Sequence, residues 1–497
     1  MLPFLRQQAI AAVLLTAAAG FAHDQPQWGE RFSRNMVSGE TGLPAAFNLE
    51  TGEHVLWTAS LGGGSYGSPI VAHGKVFIGS NNSDPRDPRQ KGDRGGLLCL
   101  NEKDGSLSWQ LLVPRTGGDD YLDWPRVGLS SPPTVEDGRV YTMTNKCEVV
   151  CLDLDGMADG NDGPYRDEGR HMTPDGRPTL EPGPLDADIL WLFDMRSGVG
   201  MYPHDSPHAS ILLDGNLLYV NTCNGVDNTH KKIRRPEAPS LIALNKNNGS
   251  LVATDGEGIG PRVFHCTWSS PSLGEVDGRR LIFFAGGDGI VYGFRALSQN
   301  VPEGVGEFER VWRFDCDPGA PKENVHDYVR NSREGPSVIM GMPVFHNNRV
   351  YFTCGGDIWW GKYEAWLKCI DATKAGDVTE SAELWSYPLE RHSCATPAIA
   401  GGLVFVTDDR GNLHCVDAES GKPYWTHDVG NAIWSSALVA DGKVYVGARN
   451  GAFAVFAAEK AKKLLFSTKF DDEINGTVTA ANGVLYVPTK SRLYAIK

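Results

Sequence analysis

A glycine turn followed by an alternating aromatic strand recurs eight times along this chain of 497 residues, and that repeat constrains the fold more than any other feature. The copies begin at Gly74-Lys75-Val76-Phe77, Gly138-Arg139-Val140-Tyr141, Gly215-Asn216-Leu217-Leu218-Tyr219, Gly278, Asn348-Arg349-Val350-Tyr351, Gly402-Leu403-Val404-Phe405, Gly442-Lys443-Val444-Tyr445 and Gly483-Val484-Leu485-Tyr486. Each sits in a unit of four short alternating segments joined by Gly or Asx turns, which reads as a four-stranded antiparallel meander with strands A to D. A lone meander cannot bury both of its faces, so the units must stack. Unit lengths of roughly 40 to 75 residues suit the blades of a propeller rather than a solenoid.

Strand D usually ends on tryptophan, at Trp109, Trp191, Trp312, Trp385 and Trp425. The last unit stops after its strand C, Leu493-Tyr494-Ala495-Ile496. Its missing strand D is expected from His54-Val55-Leu56-Trp57 near the other end, which closes the ring and hides the edge an open array would expose. The expected fold is therefore all-β, an eight-bladed β-propeller of four-stranded blades whose last blade borrows an N-terminal strand. One such ring uses, as a single domain, a length that would otherwise suggest about three domains.

Residues 1–22 carry Arg6, an apolar run from Ala9 to Ala19 and small residues before His23. That pattern is expected to be a secretory signal peptide, too short for a membrane span, leaving residues 23–497 as one soluble periplasmic or extracellular domain. The net charge of -14, with no Lys/Arg stripe, argues against a nucleic-acid partner.

The A-to-D phrase, with its Leu-x-Ala-Leu-Asp-type strand C and Trp-ended strand D, resembles the pyrroloquinoline-quinone (PQQ) propeller repeat. Pro26-Gln27-Trp28-Gly29, Gly225-Val226-Asp227 and the stretch from Gly156 to Gly163 resemble a group of exported bacterial PQQ-like propellers. The wider superfamily includes quinoprotein alcohol dehydrogenases and non-catalytic BamB-type outer-membrane assembly proteins. The resemblance implies an eight-bladed ring and leaves both a binding scaffold and a PQQ-dependent dehydrogenase open. Two features weigh against a self-contained quinoprotein: there is no Cys-x-x-Cys-His for covalent haem, and no adjacent cysteine pair of the kind that stacks on the quinone in the resembling dehydrogenases.

Of ten cysteines, Cys99, Cys151, Cys369 and Cys415 occupy the strand C position that Ala243, Gly293 and Ala495 fill in sister blades, so they read as small packing residues with reduced thiols. Cys147 and Cys151 lie about 13 Å apart along one strand and cannot bridge to each other. Export leaves room for one disulfide among Cys223, Cys266, Cys316, Cys354 and Cys394.

The long insertions, with one exception, lengthen B–C connections (80–95, 221–239, 355–365) or D–A connections (112–129, 197–207, 315–341), which lie on one face of a closed meander. That face, at the mouth of the central channel, is the expected binding surface. His204, His208, His265, His326 and His392 fall in D–A connections, with Asp205, Asp227, Trp268 and Arg330 nearby. Imidazoles there can ligate a metal, exchange protons or simply bond backbone groups. Trp124, Trp268 and Trp434 precede strands A and can stack on a planar ligand or pack between blades. A protein or carbohydrate-like ligand is expected on this face.

One excursion lies on the other face. Asp155, Asp159, Asn161 and Asp162 set oxygen ligands on Gly-bent positions suited to a structural calcium, although Pro164 stands where an EF-hand loop needs its last Glu and Asp153 serves a recurring Asx turn.

Overall fold

The computed structural model describes residues 23–117, 122–301 and 304–497; the expected signal peptide at 1–22 lies outside the described residues. Eight antiparallel sheets follow the chain, each built around one copy of the repeat. Blade 1 sets the pattern, with strand A at Ile70–Ala72, B at Lys75–Asn81, C at Arg94–Asn101 and D at Leu107–Pro114. Strands B and C are almost wholly buried, because each blade is covered by a neighbour on both faces, and their apolar runs reflect this.

The ring closes as the strand count requires. Val55–Ser60 pairs antiparallel with Arg492–Ile496, placing Trp57 opposite Ala495, and completes blade 8 as its strand D. Short two-residue strands extend three blades: Gly306–Glu307 on the outer edge of blade 3, Gly376–Asp377 on that of blade 4, and Val37–Ser38 on the inner edge of blade 7.

The small strand C residues face the strand D tryptophans. Cys99 pairs with Trp109, Cys151 with Trp191, Cys369 with Trp385, Cys415 with Trp425 and Gly293 with Trp312. All ten cysteines are free thiols, so the structure contains no disulfide among the five loop and strand-end cysteines.

The inner strands leave their channel-facing edge unpaired, and buried backbone groups need partners. A strap formed by residues 23–40 supplies them. The carbonyls of Gln25, Pro26, Phe32, Ser33 and Met36 accept from the N–H groups of Val71, Val135, Leu273, Phe345 and Val439, and Asn35 exchanges two 2.8 Å bonds with the Ile399 backbone. Arg34, fully buried, donates to the carbonyls of Trp28, Pro271 and Ser210, while the His23 carbonyl accepts from Asn482. The strap thus touches all eight blades and blocks the channel on the side of the A–B turns. Burial without a carboxylate brings the Arg34 guanidinium down to about 9.

Candidate functional site

With the channel blocked from one side, its other end is a blind cup of about 400 Å³ on the loop-decorated face. Trp28, from the strap, contributes to the lining; every other lining residue comes from a D–A or B–C connection. Six indoles line it, those of Trp28, Trp124, Trp268, Trp359, Trp360 and Trp434, together with Tyr66 and the imidazoles of His204, His208, His230 and His265. Trp359 meets Trp268 and Trp434 edge to face, at interplanar angles of 86° and 80°.

Three loops converge at one wall because their backbones are stitched together. Gly225 N–H donates to the Tyr202 carbonyl and Val226 N–H to the His265 carbonyl, both at 2.9 Å. A Cβ at Gly225 would lie 2.8 Å from the His204 Cβ and 3.0 Å from the His265 carbonyl oxygen, so only glycine permits this approach. Asp227 then turns the chain: its carboxylate accepts from the Thr229 backbone and hydroxyl, and its carbonyl accepts from His230 N–H. The result is a cluster in which ligand nitrogens of His204, His230 and His265 lie within 4.8 Å of one another.

Each ring has a distinct setting. His265 Nδ1 bonds the buried Asp357 carboxylate at 2.9 Å, leaving its buried Nε2 without a hydrogen-bond partner. Nδ1 of His204 lies 3.1 Å from the Val226 carbonyl, and its Nε2 lies 3.8 Å from Asp205. His230 packs its ring 4.5 Å from Trp360, whose indole also meets the Arg330 guanidinium at 5.1 Å. Burial, reinforced by the neighbouring imidazoles, brings His204 down to about 2 and His230 to about 4; burial alone brings His208 to about 4. Burial lifts Asp205 to about 6. For Asp357, burial pushes upward, but His265 and the N–H groups of Trp359 and Trp360 outweigh it and hold the carboxylate below its ordinary value.

His204, Asp205, His208, His265 and Trp268 therefore share the cup. Asp227 acts behind it, as the turn residue that presents His230, and Arg330 stacks behind Trp360. His326 bonds the Val263 carbonyl at 3.0 Å through Nε2, and His392 is buried with neither ring nitrogen partnered; neither lines the cup. His230, Asp357 and the pair Trp359–Trp360 were not picked out from the sequence. All lie in the long B–C insertions, where an aromatic dipeptide and a lone histidine were the available signals.

On the opposite face, Asp155 pairs with Lys75 at 2.8 Å, Asn161 bonds Glu168 and Arg166, and Asp162 N–H donates to Asp188. Among the acidic side chains there, those of Asp153, Asp155 and Asp159 bring carboxylate oxygens within 4.8 Å of one another.

Comparison with known proteins agrees with repeat and fold. Residues 33–111 and 367–464 match the family described as outer membrane protein assembly factor BamB. The chain is an eight-bladed β-propeller that is similar to this family over those two stretches. It is 31% identical over 116 residues to a 1-butanol dehydrogenase (cytochrome c) of Thauera butanivorans, covering 20% of this chain and 17% of that protein. It is 28% identical over 201 residues to the BamB of Alkalilimnicola ehrlichii, covering 39% of this chain and 44% of that protein. The matches thus span less than half the length of either relative. A europium-containing methanol dehydrogenase superposes with a TM-score of 0.59 over 94% of this chain and 90% of its own, at 12% identity, a likeness of fold. Among the described residues, no helix is long and apolar enough to cross a membrane.

PQQ is a flat tricyclic quinone bearing three carboxylates, so a site for it needs cationic donors and a slot between parallel faces. The cup lining carries no guanidinium or ammonium among the described residues, and Trp359 stands edge-on rather than parallel to both Trp268 and Trp434. These residues do not fit the cofactor.

Proposed function

We propose that this PQQ-like propeller is an exported binding protein whose cup takes a carbohydrate-like ligand. The observation that carries this reading is a set of buried, unpartnered donors on an aromatic surface. Trp28, Trp268 and Ser130 line the cup, and their indole N–H groups and hydroxyl are buried without a hydrogen-bond partner. Buried donors are normally satisfied, so their grouping marks where a ligand's acceptors belong. A sugar ring suits such a surface, offering C–H faces to indoles and hydroxyls to the donors between them. The dehydrogenase reading rests on the relatives' names and draws no support from the donor set.

Intrinsic tryptophan fluorescence, titrated with a panel of neutral oligosaccharides, tests the proposal. Saturable quenching that weakens at least tenfold in Trp268→Ala is the expected result. No response to any sugar, together with a new visible absorbance band and alcohol oxidation on adding PQQ and calcium, would overturn it in favour of the dehydrogenase.

A further inference from the structure

We propose that His204, His230 and His265 form a binding site for a divalent transition metal of the zinc or copper class, with an open coordination position facing the cup. Three imidazoles from three separate loops meet with their ligand nitrogens within 4.8 Å of one another. Around a tetrahedral zinc ion, with Zn–N bonds of about 2.0–2.1 Å, such nitrogens sit about 3.3 Å apart. Modest ring rotations therefore complete the set.

A second, independent observation points to a ligand. His265 is 4% exposed, yet its Nε2 has no hydrogen-bond partner, while its Nδ1 is tied to the Asp357 carboxylate at 2.9 Å. That arrangement is the carboxylate–histidine pairing that fixes the tautomer of a metal ligand and raises its basicity. His204 is oriented by the Val226 carbonyl, which lies 3.1 Å from its Nδ1. Asp357 is itself fixed by accepting from the N–H groups of Trp359 and Trp360, which place two indoles against the cluster.

The donor set selects the metal class. Neutral imidazoles suit zinc, copper and nickel, whereas calcium and magnesium require oxygen ligands. Three protein ligands in an open cup leave a fourth position for water or a ligand oxygen, the arrangement that distinguishes reactive zinc sites from closed structural ones. The site stands whether or not the cup takes a sugar, because metal loading is measurable with no organic ligand present.

The full mature chain, stripped with EDTA and dialysed against zinc or copper(II), would be assayed for bound metal by mass spectrometry and titrated by calorimetry. One ion per chain is expected, with copper(II) quenching the fluorescence of the adjoining indoles. His230→Ala should abolish stoichiometric binding. Asp357→Asn should weaken it roughly 10–100-fold, as loss of a supporting carboxylate does elsewhere. His208→Ala, outside the cluster, should retain one ion. Circular dichroism melts establish that each variant is folded, and His265→Gln serves in place of any that is not. Binding below one ion per chain in the parent, or equal binding by parent and His230→Ala, would overturn the assignment.

Discussion

The indole N–H of Trp57 donates to the carbonyl of Glu102 at 2.9 Å, so a residue of the last blade is fastened to the C–D turn of the first. The same bond recurs around the ring: Trp109 to Leu154, Trp191 to Lys246, Trp385 to Ala418 and Trp425 to Glu459, each joining strand D of one blade to the C–D turn of the next. Five of the eight blade junctions are thus joined by a directional bond as well as by apolar packing, whereas Trp312 of blade 4 leaves its indole N–H without a partner.

Trp57→Phe should lose the bond while retaining most of the packing, at about 1 kcal/mol, whereas Trp57→Ala should cost about 3–5 kcal/mol. Chemical denaturation would check both. Equal stability of parent and Trp57→Ala would show that blade 8 does not need its borrowed strand anchored.

Gly249 lies under Trp191 with φ +72°, and a Cβ there would come within 2.4 Å of the indole. Gly249→Ala therefore meets a steric and a backbone penalty together, and about 2 kcal/mol or more of destabilisation is expected. Thermal unfolding of the variant should show a lowered midpoint, whereas an unchanged one would mean that the outer blade surface yields at little cost.

The strap predicts a separation between fold and cup. Asn35→Leu removes both bonds to Ile399 and leaves two buried backbone groups unpaired, at about 2–4 kcal/mol. A chain beginning at residue 46 keeps the closing strand at Val55–Ser60 but loses Trp28 and the channel block. It should fold with lowered stability and lose cup ligands. Retention of both stability and binding would mean that the strap is dispensable.

Burial brings His392 from its ordinary 6.5 to about 4, with the nearby Asp357 charge opposing the shift only partly. The unfolded chain takes up a proton below pH 6.5 that the native ring refuses until about pH 4. Stability should therefore fall as pH drops through that window, by on the order of 3 kcal/mol from this residue. His392→Phe should flatten the decline between pH 6.5 and 4.5 in denaturant titrations. Parallel slopes for parent and variant would contradict the assignment.

Blade number, strand order and closure were legible because they rest on local chemistry: alternation at period two, glycine turns, and a Trp-ended strand left without its unit. The side of the ring that carries the long loops was legible for the same reason, since insertion position follows from strand parity. The membership of the cup was legible only in part. His204 and His265 attracted notice as loop histidines, but His230 lies in a different kind of connection, and Asp357 had no mark beyond its carboxylate.

What the sequence determined by itself is the repeating unit and hence the ring, since each strand's pattern is set by neighbours close along the chain. The blind cup and the histidine cluster were decided only by the tertiary structure. Residues 23–40 carry no blade pattern, and their place in the channel follows from unpaired inner-strand N–H groups that are gathered around one channel only once eight blades have closed. The three imidazoles likewise meet because Gly225 lets separate loops approach within backbone contact, a closeness between distant segments that no local period encodes.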